Sequence, residues 1–478
     1  MEKFQFKPED YRDIQGLIFT GYGSLSEACY LMLQFGDVTN AKEWILKIRG
    51  QITTYMPRTA GILQKKQSAL QLAFTNSGIE LLVPATQLKE PFSREFSEGM
   101  SSSNTTARAN ILGDLDENSA EKWDWGGYKN ETIHAILMVF ADGLEALETQ
   151  LKRFESDFEQ HKITKVIALA TNRTPDDREH FGFKDGISQP IIKGMEQTTT
   201  RPEPVFYNEP NEIQPGEFLM GYTNEYDKLP FSPQLNNGFD LGENGSYMVF
   251  RQMEQDVRGF WEFMQKTAQT NAHFEGKDAV YVAAKMMGRW PNGNPLTLVP
   301  EVNQADRVAD RNDFIYTKDD ADGFKCPVGA HIRKTNPRDV LDADNGKTQV
   351  SKRHRILRRG RSYGEPLHES MEPVEMLKSS KEGTRGLFFV CFNANIGRQF
   401  EFIQHAWANN PKFDDLCNDV DPIVGFGHHK EKYVAGDFTA QDCPVRKKIH
   451  EVPQFTFIKG GAYFFMPGLT ALKKIAEL

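Results

Sequence analysis

Ala135-Ile136-Leu137-Met138-Val139-Phe140, then an amphipathic stretch over 144–158, then Lys165-Val166-Ile167-Ala168-Leu169-Ala170, read as strand, helix and strand. Apolar residues in 144–158 recur at three- and four-residue spacing, the period of one helix face, whereas the flanking runs are short and continuous. Toward the N-terminus, Leu17-Ile18-Phe19-Thr20-Gly21-Tyr22 and Ala69-Leu70-Gln71-Leu72-Ala73-Phe74 are two more strand-like runs, and 24–35 and 41–48 between them show helical spacing. The order β-α-β-β-α-β predicts a ferredoxin-like unit over residues 1–190. The polar stretch Ser101-Ser102-Ser103-Asn104-Thr105-Thr106 predicts a loop between its middle strands.

Residues 191–245 carry Pro202, Pro204, Pro210, Pro215, Pro230 and Pro233 and predict a long ordered connection. Beyond it the plan repeats over 246–478. Tyr247-Met248-Val249-Phe250, Ala330-His331-Ile332-Arg333, Gly386-Leu387-Phe388-Phe389-Val390-Cys391-Phe392, Phe455-Thr456-Phe457-Ile458 and Ala462-Tyr463-Phe464-Phe465 read as strands; 256–266 and 400–407 read as helices. The fold class is α+β, two ferredoxin-like units with antiparallel sheets.

Composition agrees with this organisation. A chain of 478 residues exceeds one compact core. A net charge of −9 argues against a nucleic-acid partner. The basic run from Lys352 to Arg361 is broken by Ile356 and Leu357, so part of it turns inward. The first ten residues lack an apolar core and a small-residue cleavage site, and no stretch is long enough to span a membrane. The five cysteines are scattered, without a Cys-x-x-Cys pair, as in a reduced cytoplasmic protein. Of the eleven histidines, His428 and His429 are adjacent and diverge, and no His-Glu-x-x-His motif is present.

Three stretches carry chemistry. In Gly182-Phe183-Lys184-Asp185-Gly186, glycines leave the backbone open around a carboxylate that could project into a cavity, though the pattern also describes ordinary surface turns. In Cys326-Pro327-Val328-Gly329-Ala330-His331-Ile332-Arg333, an imidazole between small apolar and basic residues suits a flat cofactor, or a buried histidine bonded to a carbonyl. In Ile356-Leu357-Arg358-Arg359-Gly360, an arginine follows two aliphatic residues and could be drawn beneath an apolar surface, or lie on a basic loop.

Together, these motifs resemble the larger members of the dye-decolourising peroxidase family. The likeness runs from Asp13-Ile14-Gln15-Gly16 through Gly182 to Pro190, Gly329 to Arg338 and Arg355 to Gly360, to Phe389-Val390-Cys391-Phe392-Asn393-Ala394-Asn395 and Phe464-Phe465-Met466-Pro467. It implies haem b (iron protoporphyrin IX) bound in the second unit, with His331 as the axial ligand to iron. Asp421 is the candidate acceptor for the other ring nitrogen; the region of Asn395, where relatives carry an acid, is the alternative. Asp185 and Arg358 are implied as the distal pair that cleaves hydrogen peroxide to give an oxoferryl haem, which two one-electron steps return to rest. Leu387 and Phe389 resemble the apolar residues that restrict access, and Arg333 is a candidate propionate partner. Bulky dyes and other aromatic reductants would be oxidised at surface Trp or Tyr residues, for which Trp407, Trp123, Trp125 and Tyr363 are candidates. An acidic optimum and, from exposed sheet edges, a homodimer are compatible with the reading; no C-terminal tail suggests packaging in a shell. The competing readings are a haem-binding or haem-trafficking protein, which needs only His331, and another haem reaction such as chlorite dismutation, against which Asp185 argues.

Overall fold

The computed structural model describes residues 4–55, 67–101, 106–174, 178–195, 211–301, 311–343, 348–426 and 434–478. The first half contributes four strands: β1 (Glu27–Phe35), β2 (Ser68–Phe74), β3 (Ala135–Ala141) and β4 (Ile163–Ala170). Helices Val38–Arg49 and Leu144–Gln160 complete the β-α-β-β-α-β order. The second half contributes β5 (Ser246–Gln255), the short β6 (Leu357–Arg358) and β7 (Arg361–Tyr363), β8 (Gly386–Asn393) and β9 (Thr456–Met466). All nine belong to one sheet in the order β6-β8-β5-β9-β2-β3-β1-β4, with β7 beside β8. Each half repeats the ferredoxin-like order, and every pairing is antiparallel. The halves join where β9 meets β2 at Phe465 and Phe74.

The sheet curls. Tyr30 of β1 and Phe388 of β8 lie far apart in strand order, yet their rings are 5.7 Å apart, and Tyr30 also meets Phe250 of β5 at 5.4 Å. One face is therefore an interior shared by both halves, holding Tyr30, Met138, Phe140, Phe250, Phe388, Val390 and Phe464. In the first half, Trp44, Ile45 and Ile48 of Val38–Arg49 and Phe154 and Phe158 of Leu144–Gln160 cover the other face.

Three sequence expectations fail here. Residues 17–22 form no strand, Gly16–Ile18 being a buried tight turn, and the first strand is Glu27–Phe35, inside the stretch expected to be helical. Ala28, Tyr30 and Met32 enter the shared interior and Leu31, Leu33 and Phe35 the opposite core, so β1 is apolar on both faces and shows no period-two alternation. Ala330–Arg333 is not a strand: Ala330 precedes the helical turn His331–Thr335. Residues 400–407 are helical, within two wide-turned segments, Gly397–Glu401 and Ile403–Ala408, of a kind that often marks functional sites.

Residues 211–245 are ordered connection with short strand pairings, while Pro202, Pro204, Pro210, Ser102–Thr105 and the His428-His429 pair lie outside the described residues. All five cysteines are free. Among the described residues no helix is long and apolar enough to cross a membrane, and no cluster of His, Cys, Asp and Glu side chains could by itself hold a metal ion.

Candidate active site

In the second half the outer face of the sheet is not covered flush. A cavity lies there, with Arg251, Met253 and Gln255 of β5, Leu387 and Phe389 of β8, Thr456 and Ile458 of β9 and Arg358 of β6 in its wall. It encloses about 1630 Å³ of empty space, its open mouth included. Alternation along β8 decides what faces it: Leu387 and Phe389 line the cavity while Phe388 and Val390 enter the shared interior.

His331 reaches the cavity from the start of its helical turn. Its Nδ1 lies 2.9 and 3.1 Å from the two carboxylate oxygens of Asp421. Asp421 is completely buried and its Oδ1 accepts the amides of Ile423 and Val424 at 2.8 and 2.9 Å. Burial works against both charged forms, but the pair outweighs it: His331 is held above the ordinary histidine pKa and Asp421 below the ordinary carboxylate value. Nε2 of His331 has no hydrogen-bond partner among the described residues. Asn395 is engaged elsewhere, its Oδ1 accepting the amide of Arg398 at 2.8 Å.

Asp185 lines the same cavity from a turn that requires left-handed backbone, with φ of +92° at Gly182 and +79° at Gly186. Arg358 Nη1 donates to Asp185 Oδ1 at 2.9 Å, and the amide of Gly186 donates to the same oxygen at 2.6 Å. Oδ2 is left without a partner among the described residues. The side chains of Asp185 and Arg358 are 41% and 28% exposed, and they line the cavity wall. Burial pushes Asp185 up, but the guanidinium of Arg358 and the amide of Gly186 hold it below the ordinary carboxylate value.

Arg333 is not where the sequence reading put it. Its side chain is buried away from the cavity, donating to the carbonyls of Asp320, Cys326 and Ala321 and pairing with the Asp320 carboxylate at 3.4 Å. Two other arginines line the wall. Arg289 donates to the carbonyls of Gly293 and Arg311, and Arg355 to Asn211 Oδ1 and the carbonyl of Ser188. Neither has a carboxylate partner among the described residues, and burial pulls Arg289 down to about 10 and Arg355 to about 9. Arg355 stood inside a stretch singled out by sequence, yet nothing in its neighbours distinguished it from Arg353 or Arg359.

The four aromatic candidates for surface oxidation are all buried: Trp407 is 4% exposed, Trp123 3%, Trp125 1% and Tyr363 7%. Of them only Trp407 lines the cavity, its ring edge-on to His354 at 5.2 Å and Phe402 at 5.5 Å.

A flat tetrapyrrole fits these residues. The walls are apolar, an imidazole with its second nitrogen already held presents the free one, and cationic side chains without anionic partners stand ready for carboxylates. Asn336 Oδ1 and Thr456 Oγ1 are buried, cavity-lining polar atoms without a protein partner among the described residues.

Residues 13–175 match the family model of the DyP dimeric alpha+beta barrel domain, and residues 234–427 that of the Dyp-type peroxidase, C-terminal. The multifunctional dye peroxidase DyP2 of Amycolatopsis sp. is 33% identical over 362 residues, 74% of this chain and 73% of that protein. A solved dye-decolorizing peroxidase variant in complex with cyanide is similar with a TM-score of 0.79 at 27% identity, covering 99% of this chain and 100% of the other. A dye-decolorizing peroxidase in complex with 2,6-dimethoxyphenol gives 0.77 at 28% identity, covering 98% and 100%. Fold and comparisons define a peroxidase of the α+β barrel class. The chain belongs to the dye-decolourising peroxidase family, whose members are haem-dependent.

Proposed function

We propose that this chain binds haem b, reduces hydrogen peroxide and oxidises dyes and other aromatic or phenolic reductants in one-electron steps. The observation that carries the reading is the meeting, in one cavity, of the His331–Asp421 pair and the Asp185–Arg358 pair. His331 Nε2 would hold the iron, with Asp421 accepting from Nδ1 and so fixing tautomer and ring orientation. Arg355 and Arg289, rather than Arg333, are the cations suited to the propionates. Bound haem would supply the iron that receives a peroxide oxygen and stores two oxidising equivalents for the reductants.

The chain's own residues handle protons and charge. Asp185 Oδ1 is occupied, which leaves Oδ2 to take the proton from one peroxide oxygen and return it to the other. Arg358 holds Asp185 in place and stabilises negative charge that develops as the O–O bond breaks. Leu387 and Phe389 keep the space narrow and apolar. The phenolic and dye substrates follow from what the relatives' names and complexes record.

The test is to load the purified protein with haem, record the Soret band, add one equivalent of peroxide and then an anthraquinone dye. A rapid spectral shift that the dye reverses while losing colour is expected. Bound haem with a spectrum indifferent to peroxide would overturn the proposal in favour of a haem carrier.

A further inference from the structure

One carboxyl group in the cavity has no part in that scheme. Glu179 lines the wall six residues before Asp185, on the same loop. Its two oxygens gather three donors: Oε1 accepts the amide of Phe183 at 3.0 Å, and Oε2 accepts the amide of Phe181 at 2.9 Å and Gln255 Nε2 at 2.6 Å. The backbone closes the turn on the same residue, with the Glu179 amide donating to the Phe183 carbonyl at 2.9 Å and the Gly182 amide to the Glu179 carbonyl at 2.8 Å. Gln255 is the last residue of β5, so the carboxyl ties the turn to the sheet. The aromatic neighbours tie it to helix Val257–Thr270: Phe181 stacks on Phe260 at 4.4 Å, and Phe183 lies parallel to Trp261 at 6.3 Å.

From this geometry we infer that Glu179 is the positioning residue of the Asp185 turn, clamping its amides to the end of β5 and so fixing where Asp185 stands in the cavity. The inference rests on the peroxidase reading for its catalytic consequence, but the clamp itself is a property of the fold. Without Glu179, the amides of Phe181 and Phe183 in the turn lose their acceptor, and Gln255 at the end of β5 loses its partner.

The clamp tolerates a proton. Burial raises Glu179 to about 7, against the lowering effect of its donors, and the charge of Asp185 adds to the rise. Gln255 Oε1 is buried without a partner among the described residues. If the amide of Gln255 turns over, that oxygen can receive the O–H of a protonated Glu179, while Oε1 of Glu179 still accepts from Phe183. The other charged or titratable groups around this part of the wall are Lys184 on the turn itself, Asp185 with its partner Arg358, Arg251 with its buried partner Asp114, Arg289, Arg385, whose carbonyl accepts the Gln255 backbone amide at 2.9 Å, and His180, whose Nε2 lies 2.8 Å from the Tyr363 carbonyl.

Glu179→Gln keeps the size and removes one acceptor oxygen. Two readings are made on it. Amide hydrogen exchange of the segment 179–186, in the protein without and with haem, is expected to speed up by about tenfold, the size of one lost hydrogen bond. In the haem-loaded protein, the bimolecular rate with peroxide is expected to fall by about tenfold with the Soret band in place. The charge that Glu179 gains near pH 7 beside Asp185 is expected to put an inflection into the wild-type rate, and Glu179→Gln is expected to lack it, a difference that loosened packing alone would not produce. Gln255→Leu, which spares Glu179, should move exchange the same way by less and serves if the first variant does not fold. Unchanged exchange in either folded variant overturns the clamp, and faster exchange with an unchanged rate and pH profile overturns its role toward Asp185. If wild-type haem protein ignores peroxide, the peroxidase reading falls, and the exchange result alone still decides the clamp.

Discussion

At the scale of single residues, charge placement sets two expectations. Asp185 is lowered by Arg358 against its own burial, so it remains able to accept a proton in acid. The sign follows: a depressed carboxylate works above its folded pKa and fails as pH falls through it. The peroxide rate should therefore persist below the ordinary carboxylate range, and Arg358→Leu should slow it by about a hundredfold and move its acid limb to higher pH, because burial then acts unopposed. A pH–rate profile for the variant with an unmoved limb would contradict the pairing. With His331 holding the iron as proposed, Asp421→Asn removes the anionic acceptor from its Nδ1, so the imidazole would donate less and the ferric–ferrous midpoint should rise; a potentiometric titration with the wild-type value would refute this. The acceptor itself was legible only as a choice between Asp421 and the Asn395 region, since sequence does not say which loop returns to His331. Arg333 is close to His331 in sequence, which suggests the cavity, yet on the helical turn His331–Thr335 it points toward Asp320 instead.

Elements explain which parts of the fold could be read. Helices Val38–Arg49 and Leu144–Gln160 lie on the surface of the sheet, one face buried and one wet, and their period shows in the sequence. β1 is buried on both faces and shows no strand period, so its sequence reads as a helix. β8 also has an apolar residue at every other position on both sides, but its two faces do different things. Phe388 packs in the shared interior against Tyr363 at 4.5 Å and Phe250 at 5.7 Å, whereas Phe389 lines the cavity. Neighbouring substitutions should then diverge. Phe388→Ala should cost about 3–5 kcal/mol of stability, read by chemical denaturation. Phe389→Ala should cost less and instead admit bulkier alkyl peroxides to the haem, read by their rates relative to hydrogen peroxide. Equal destabilisation by the two, with no change in peroxide selectivity, would mean that alternation does not separate core from cavity here.

For the whole molecule, the repeat of two ferredoxin-like units was readable, but their fusion was not, because it rests on pairings hundreds of residues apart. β9 is the last strand of the chain, yet it pairs with β5 along its length and touches β2 at Phe465 and Phe74. The helix Leu469–Glu477 then places Leu472, Ile475 and Ala476 in the same core as Trp44, Ile45 and Ile48 of the first half. The C-terminal segment thus closes the first half while its strand completes the second. Tyr30 meets Phe250 and Phe388 edge-on across the shared interior, so neither half can open without exposing aromatic surface of the other. Burial of apolar area is the main favourable term in folding, and here most of it is common to both units. The halves should therefore unfold together despite a length at which separate domains are usual. In the haem-free protein, tryptophan fluorescence samples both halves, through Trp44 in the first and Trp261 in the second, and far-UV dichroism follows the sheet. The two signals should trace one coincident denaturant transition. Removing residues 467–478 should lower its midpoint as a unit rather than detach one half from it. Two resolved transitions in the intact chain, one for each half, would show that the shared interior does not couple them.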